Sequence, residues 1–227
     1  MSSENAPSEN APSEQMSFEI DVRCRRGHRD IAVTFRSDAA LTALFGPSGA
    51  GKTSVLDMVA GLLRPDAGRI VVAGTVLFDH AARINLPPEA RACGYVFQDG
   101  RLFPHRSVRD NLLFGWRLAP VERRRMALDE VTAFLGIGPL LDRRPHTLSG
   151  GEAQRVAIGR ALLSGARFLL LDEPLSSLDA ARADEIMAVI EQVRDELGVP
   201  ILYVSHDRAE VERLAGRIVP IGEGRSA

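Results

Sequence analysis

Gly46-Pro-Ser-Gly-Ala-Gly-Lys-Thr53 sets three glycines, a lysine and a hydroxyl at the spacing of a phosphate-binding loop. Gly46, Gly49 and Gly51 leave backbone N–H groups open to anionic oxygens, the helix that follows aims its positive end at them, and Thr53 offers a hydroxyl to Mg²⁺. Pro47, Ser48, Ala50 and Ser54 complete the nucleotide-contacting segment. Lys52 is the only lysine in the chain, against 27 arginines. A compact ammonium on a thin stem fits between β- and γ-phosphates, whereas a planar guanidinium is too wide for that slot. The expected ligand is a nucleoside triphosphate.

Two further segments add chemistry. Asp172 and Glu173 follow the apolar run Phe168 to Leu171, which puts two carboxylates where a buried strand emerges. With a triphosphate nearby, Asp172 would hold the Mg²⁺ shell and Glu173 would polarise the attacking water. In Leu148-Ser-Gly-Gly-Glu152, Ser149 and Glu152 fit a helix capping box, but Gly150 and Gly151 each sacrifice roughly 1 kcal/mol relative to alanine. Bare backbone there admits an anion, so the chain carries a second phosphate cradle.

These groups need a scaffold that gathers them. Leu41 to Phe45, Tyr95 to Phe97, Phe168 to Leu171 and Ile201 to Ser205 are apolar without alternation, as strands buried on both faces of a parallel sheet must be. They lead into the phosphate loop, Gln98, Asp172-Glu173 and His206, so four strands deliver polar groups to one sheet edge, where α/β sheets bind ligands. Val55 to Leu63 and Ile186 to Leu197 carry apolar residues at helical spacing and predict core-facing helices. Phe18 to Cys24 and Asp30 to Phe35 flank an Arg25-Arg26-Gly27 turn and predict a hairpin, with a further strand around Ile70 to Phe78; these strands are expected to be antiparallel and peripheral. Between Gln98 and Phe168, helices are expected over Val108 to Leu118, Pro120 to Leu135 and Glu152 to Leu163, forming an inserted subdomain.

Composition narrows the classes. The chain has 227 residues, 45% hydrophobic and 26% charged, with a formal net charge of −2. Without a basic block, nothing favours a nucleic-acid partner. No apolar stretch approaches the roughly 18 residues of a spanning helix, so any membrane role requires another chain. Cys24 and Cys93 lack metal-ligand spacing and read as free structural thiols of a reduced cytosol. Residues 1–15, with Ser-Glu-Asn-Ala-Pro repeated, are expected to be a disordered tail, and Met16 is an equally good start. The folded part is expected as one domain over 16–227, with 16–97 and 166–227 forming the core and 98–165 the helical subdomain.

Together these motifs resemble the ATP-binding cassette ATPases. Gly46 to Thr53 match the Walker A motif, Gln98 the Q-loop, Leu148 to Glu152 the signature, Phe168 to Glu173 the Walker B motif, Ser177-Leu178-Asp179 the D-loop, and His206 the switch histidine. The resemblance covers residues 18 to about 223. It implies an α/β P-loop NTPase fold: a mainly parallel core sheet with helices, a peripheral antiparallel β-subdomain and an inserted helical subdomain. It implies ATP and Mg²⁺ as cofactors and a head-to-tail homodimer, in which Ser149, Gly150 and Gly151 of one subunit close on the γ-phosphate held by Lys52 of the other. Gln98 would touch Mg²⁺ and the lytic water, His206 the γ-phosphate, and Asp179 would communicate across the interface.

Tyr95 to His105 and Leu140 to Arg144 are most similar to the ATPases of molybdate importers, with importers of sulfate, iron, polyamines and sugars sharing much of the pattern. The resemblance implies membrane permease subunits as partners, a periplasmic or extracellular binding protein as an indirect one, and a peripheral place on the cytoplasmic face of the inner membrane. Leu102, Phe103 and Pro104 would either receive the permease or pack the subdomain interface. A non-transport cassette acting on nucleic acid or the ribosome, and an efflux ATPase, are the rival classes. Two features depart from the family. The early hairpin offers Arg25, Arg26 and His28 where an aromatic usually stacks on adenine; an arginine plane could stack instead, and adenine selectivity stays unassigned. The C-terminal oxyanion-binding domain common in the molybdate group does not follow before Ala227, so either this form lacks that regulation or the sequence is truncated.

Overall fold

The computed structural model describes residues 17–27 and 29–222. The expectations for the 1–15 tail, a start at Met16 and His28 lie outside the described residues. β1 (Phe18–Arg26) and β2 (Arg29–Ser37) form the expected hairpin, with Phe18, Ile20, Val22, Ile31, Val33 and Phe35 buried at every second position. That period of two presents one apolar face and one charged face. β3 (Leu41–Phe45) leaves this sheet and leads into α1 (Lys52–Ala60). The stretch expected as one strand around Ile70 to Phe78 is two, β4 (Ala67–Val72) and β5 (Thr75–Asp79), because Ala73 and Gly74 both adopt positive φ, 45° and 74°, and turn the chain. A short β6 (Ile84–Asn85) completes a five-stranded antiparallel sheet of order β2-β1-β4-β5-β6.

After α2 (Pro88–Arg91), β7 (Cys93–Val96) opens the second sheet. Helices α3 (Val108–Leu118), α4 (Leu128–Phe134) and α5 (Gly150–Leu163) intervene before β8 (Phe168–Asp172). The chain ends its described part with α6 (Ala180–Leu197), β9 (Ile201–Ser205), α7 (Arg208–Leu214) and β10 (Arg217–Pro220). The sheet is parallel in the order β10-β3-β9-β8-β7. Its register pairs Phe45 with Ser205 and Asp172 with Val204, so the carboxyl ends that carry the polar groups are level. β10 escaped the sequence reading because an edge strand with Arg217 and Pro220 lacks the apolar run of its neighbours.

α1 fills the space between the two sheets. Val55, Leu56, Met58 and Val59 pack in one cluster with Phe18 and Ile20 on one side and Leu44, Phe168 and Leu202 on the other. Phe18 meets Phe168 edge to face at 6.3 Å. The antiparallel sheet is a separate layer, as expected, and it supplies part of the core that holds α1. The opposite face of the parallel sheet, through Leu169, Leu171 and Tyr203, packs on α5, α6 and α7. The single helix expected over Pro120 to Leu135 is broken. Only a 3₁₀ turn over Val121–Arg123 precedes α4, and Arg124 swings out to bond the Ala119 carbonyl at 3.1 Å and to lie 4.1 Å over the Trp116 ring.

Arg91 locks the far end of α1. It is 2% exposed. Its Nη1 donates to the carbonyls of Met58 (2.7 Å) and Val59 (2.9 Å), Nε to that of Leu86 (2.8 Å), and Nη2 to Asn85 Oδ1 (2.8 Å). A cation at a helix C-terminus satisfies its orphan carbonyls and its negative end together. Gly61, in the left-handed conformation at φ 83°, makes room: a Cβ there would lie 2.7 Å from Arg91 Nε. Arg91→Ala should lower stability by about 3 kcal/mol in urea unfolding, since it leaves a cavity and several buried acceptors unpaired. Arg91→Lys should recover little, because a point charge cannot serve acceptors on both sides of a planar fork.

Candidate active site

The phosphate loop starts where β3 runs out. Gly46 is obligatory, since a Cβ there would sit 1.9 Å from the Ile221 carbonyl oxygen. Gly49 and Gly51 have φ of 79° and 99°, and the Ala50 amide bonds the Pro47 carbonyl at 3.2 Å, closing the turn. Gly51 is the N-cap of α1 and supplies no side-chain cap, so the first amides of the helix are left for an anion. Lys52, 4% exposed, donates to the carbonyls of Gly46 (2.8 Å) and Pro47 (3.0 Å) and lies 3.4 Å from Glu173 Oε1. Thr53 Oγ1 donates to Asp172 Oδ1 at 3.0 Å.

Both carboxylates stand at the end of β8. Burial pushes the Asp172 carboxyl above the ordinary aspartate value; the Thr53 hydrogen bond opposes this, while Glu173 and Asp57 add to it. Thr53 and Asp172 line a cavity of about 410 Å³ with Gln98, Asp57 and Tyr95. The Tyr95 hydroxyl donates to Asp57 at 3.2 Å. Hydroxyl, carboxylate and amide oxygens around one space are the donor set of a hard cation, so Mg²⁺ fits here. Glu173 holds φ 43°, a left-handed conformation that costs a residue with a Cβ roughly 1–2 kcal/mol. It is fixed by its amide on the Val204 carbonyl (3.0 Å) and by its own carbonyl, which accepts from Ser176 Oγ (3.0 Å). Ser176 Oγ in turn accepts from Gln98 Nε2 at 3.1 Å. Glu173 Oε2 lies 3.2 Å from His206 Nδ1. Lys52, Gln98, Glu173 and His206 are thus joined through these contacts, and the Thr53–Asp172 pair adjoins them along the chain.

Ser149, Gly150, Gly151 and Asp179 do not join it. Ser149 and Glu152 form the capping box, with Ser149 N–H on Glu152 Oε2 at 2.7 Å and Glu152 N–H on Ser149 Oγ at 3.3 Å. That backbone hydrogen bond, first among several contributions, holds the Glu152 carboxyl below its ordinary value. Gly150 packs near Leu178 and Gly151 near Arg182. Asp179 caps α6 through the Arg182 amide at 3.0 Å. Among the described residues, no hydrogen bond or ion pair links Ser149, Gly150 or Gly151 to the phosphate loop.

Arg29 was not singled out from sequence, whereas its neighbour Arg26 was. Arg29 donates to the Gly49 carbonyl, and Arg26 reaches Ser54 Oγ at 3.3 Å. Both line a cavity of about 290 Å³ with Ile31, Gly49, Gly51 and Thr53. Arg25 faces Asp30 at 3.8 Å instead. The hairpin register, which pairs Arg26 with Arg29, would have identified this couple. Phe103 packs on Phe114 at 4.7 Å and lies under Arg160 at 5.3 Å, and its backbone is held by buried Asn111. Pro104 is exposed.

Comparison with known proteins agrees with this geometry. The profile described as "ABC transporter" matches residues 29–176. The chain is 57% identical over 209 residues to a molybdenum import ATP-binding protein, ModC, of Rhodospirillum rubrum, covering 92% of this chain and 56% of that protein. It is 58% identical over 206 residues to ModC of Brucella suis, covering 91% and 57%. The chain thus spans little more than half the length of these curated relatives. Among solved structures, cbiO1 of Clostridium perfringens, part of the ABC transporter complex cbiONQ, superposes with a TM-score of 0.76 at 27% identity, covering 93% of this chain and 86% of that one. No helix among the described residues is long and apolar enough to cross a membrane. The chain belongs to the ABC transporter family.

Proposed function

We propose that this chain is the ATP-hydrolysing part of a molybdate importer, acting as a head-to-tail homodimer beneath membrane permease subunits at the cytoplasmic face of the inner membrane. In this reading residues 16–227 work as one domain, with 98–165 as its helical subdomain. The observation that carries it is the Lys52–Glu173–His206 chain beside the Thr53–Asp172 pair. The molybdate assignment rests on the names of the relatives, and the dimer on the second cradle, which among the described residues has no hydrogen bond or ion pair to the phosphate loop of its own chain.

The residues divide the work as follows. Gly46 to Ser54 wrap the phosphates of ATP with backbone amides, and Lys52 exchanges Glu173 and the loop carbonyls for the β- and γ-phosphates. That exchange releases Glu173, whose carboxylate then accepts the proton of the attacking water. His206, already in contact with Glu173, bonds the γ-phosphate, and Gln98 orients the water from the other side through its tie to Ser176. Mg²⁺, held by Thr53, Asp172 and Gln98, would neutralise phosphate charge. Arg26 and Arg29 border the nucleotide on its outer side. In the dimer, Ser149, Gly150 and Gly151 of the partner close over the γ-phosphate and Asp179 follows the interface.

Glu173→Gln should lose on the order of 100-fold to 10,000-fold in ATP turnover. It should still gain about 2.7 kcal/mol of stability at 100 times the Kd for Mg-ATP, as the parent does. Turnover within a few-fold of the parent would remove Glu173 from the base role. Reconstituted with the permease of the same transport system, the protein should hydrolyse ATP faster when binding protein loaded with molybdate is added; stimulation by another oxyanion alone would reassign the cargo.

The pH behaviour follows from Asp172. An acid whose folded pKa is raised subtracts stability when ionised, so the penalty is present at neutral pH and disappears below the ordinary aspartate value of about 4. Asp172→Asn should therefore be more stable than the parent at neutral pH without Mg²⁺, with the difference closing as pH falls through that range. Mg-ATP should reverse the order, because the neutral amide is the weaker cation ligand. Chemical denaturation at stepped pH reads both effects.

A further inference from the structure

His206 occupies the turn between β9 and α7, and its two chain neighbours are both engaged in fixing that turn. Ser205 is 2% exposed; its Oγ accepts the Asp207 amide at 2.9 Å and donates to Glu210 Oε2 at 2.7 Å. Asp207 caps α7, with Oδ1 accepting from the amides of Ala209 (2.7 Å) and Glu210 (3.2 Å). The same Glu210 oxygen accepts a second hydroxyl, that of fully buried Tyr203, at 2.7 Å. Tyr203 lies in mid-sheet, paired with Ala43 of β3 and Leu171 of β8. One carboxylate on α7 thus grips β9 at two positions on the same side of the strand, two residues apart. Among the described residues Glu210 has no ion-pair partner, so its two hydroxyl bonds are what satisfy it. Only His206 is left with a side chain free to point at Glu173. Glu210, His206 and Glu173 line one cavity of about 340 Å³.

We propose that Glu210 is the positioning residue of His206: by clamping Tyr203 and Ser205 from the first turn of α7, it fixes the direction in which the His206 ring leaves the sheet edge. This rests on the ATPase reading above only for its kinetic consequence. Glu210 touches neither nucleotide nor the attacking water. Its effect is geometric, since an imidazole displaced by about 1 Å at a reacting centre costs on the order of 100-fold in rate.

The test uses the intact protein labelled at histidine. The chain holds five histidines, and the His206 ring resonance is identified by its disappearance in His206→Ala. Glu210→Ala should shift or split that resonance and leave those of His80, His105 and His146 in place, while Glu210→Gln, which keeps an acceptor of the same reach, should restore it. In steady-state kinetics Glu210→Ala should lose roughly 10-fold to 100-fold in kcat with the KM for ATP unchanged within about two-fold, and Glu210→Gln should recover most of the loss. An unmoved His206 resonance in Glu210→Ala overturns the proposal, as does a loss that Glu210→Gln shares in full. If Glu210→Ala does not fold, Ser205→Ala removes one of the two grips and must move the His206 resonance in its place; an unmoved signal there is equally fatal. A parent protein without ATPase activity would remove the proposed function, and the resonance would still decide the role of Glu210.

Discussion

A primary ammonium with 4% exposure is the constraint around which this molecule is arranged. Burying such a charge costs several kcal/mol unless opposite charge and acceptors surround it. Lys52 obtains its acceptors from the loop that precedes it and its counter-charge from Glu173, at the end of a different strand. To deliver both, β3 and β8 must end level, although β9 lies between them in the sheet. The backbone of Glu173 must also turn into a conformation that most residues avoid, and β9 supports it by accepting its amide. The sheet order, the packing of α1 between two sheets and the buried Arg91 at its far end all hold this one locus still.

The two glycine-rich helix N-termini, at α1 and α5, are built differently. At α1 the cap is a glycine, so nothing within the side chains competes for the first amides. At α5 a serine and a glutamate satisfy each other across the first turn, and only the bare glycine backbone remains open. The first arrangement is stable when an anion is present and under-satisfied without one; the second stands on its own.

What could be read from sequence depended on the range of the interactions. Unbroken apolar runs such as Leu41 to Phe45 and Ile201 to Ser205 identified central parallel strands, because burial on both faces leaves no polar position to confuse the pattern. The helix Val108 to Leu118 was readable from its own period. The break before α4 was not, since it depends on Arg124 finding the Trp116 ring. β10 depends on a neighbouring strand for its assignment, and the packing of the antiparallel sheet on α1 depends on where that sheet sits. The same division holds at the site. Lys52, Asp172 and Glu173 announce themselves by type and spacing. Arg29, Ser176 and Glu210 are ordinary residue types whose importance lies in what they touch.

Gly46 and Ile221 give the fold a mechanical property. The absence of a side chain at Gly46 lets the Ile221 carbonyl rest directly against it, while the Ile221 amide is bonded to the Phe45 carbonyl at 2.7 Å. The end of β10 is therefore a rigid strut under the phosphate loop. Close-packed backbone transmits displacement with little loss, because there is no flexible side chain between the two segments to absorb it. A displacement of Ile221 would therefore be felt first at the backbone of Gly46, where β3 hands over to the glycine-rich loop, and only afterwards along the rest of the sheet edge.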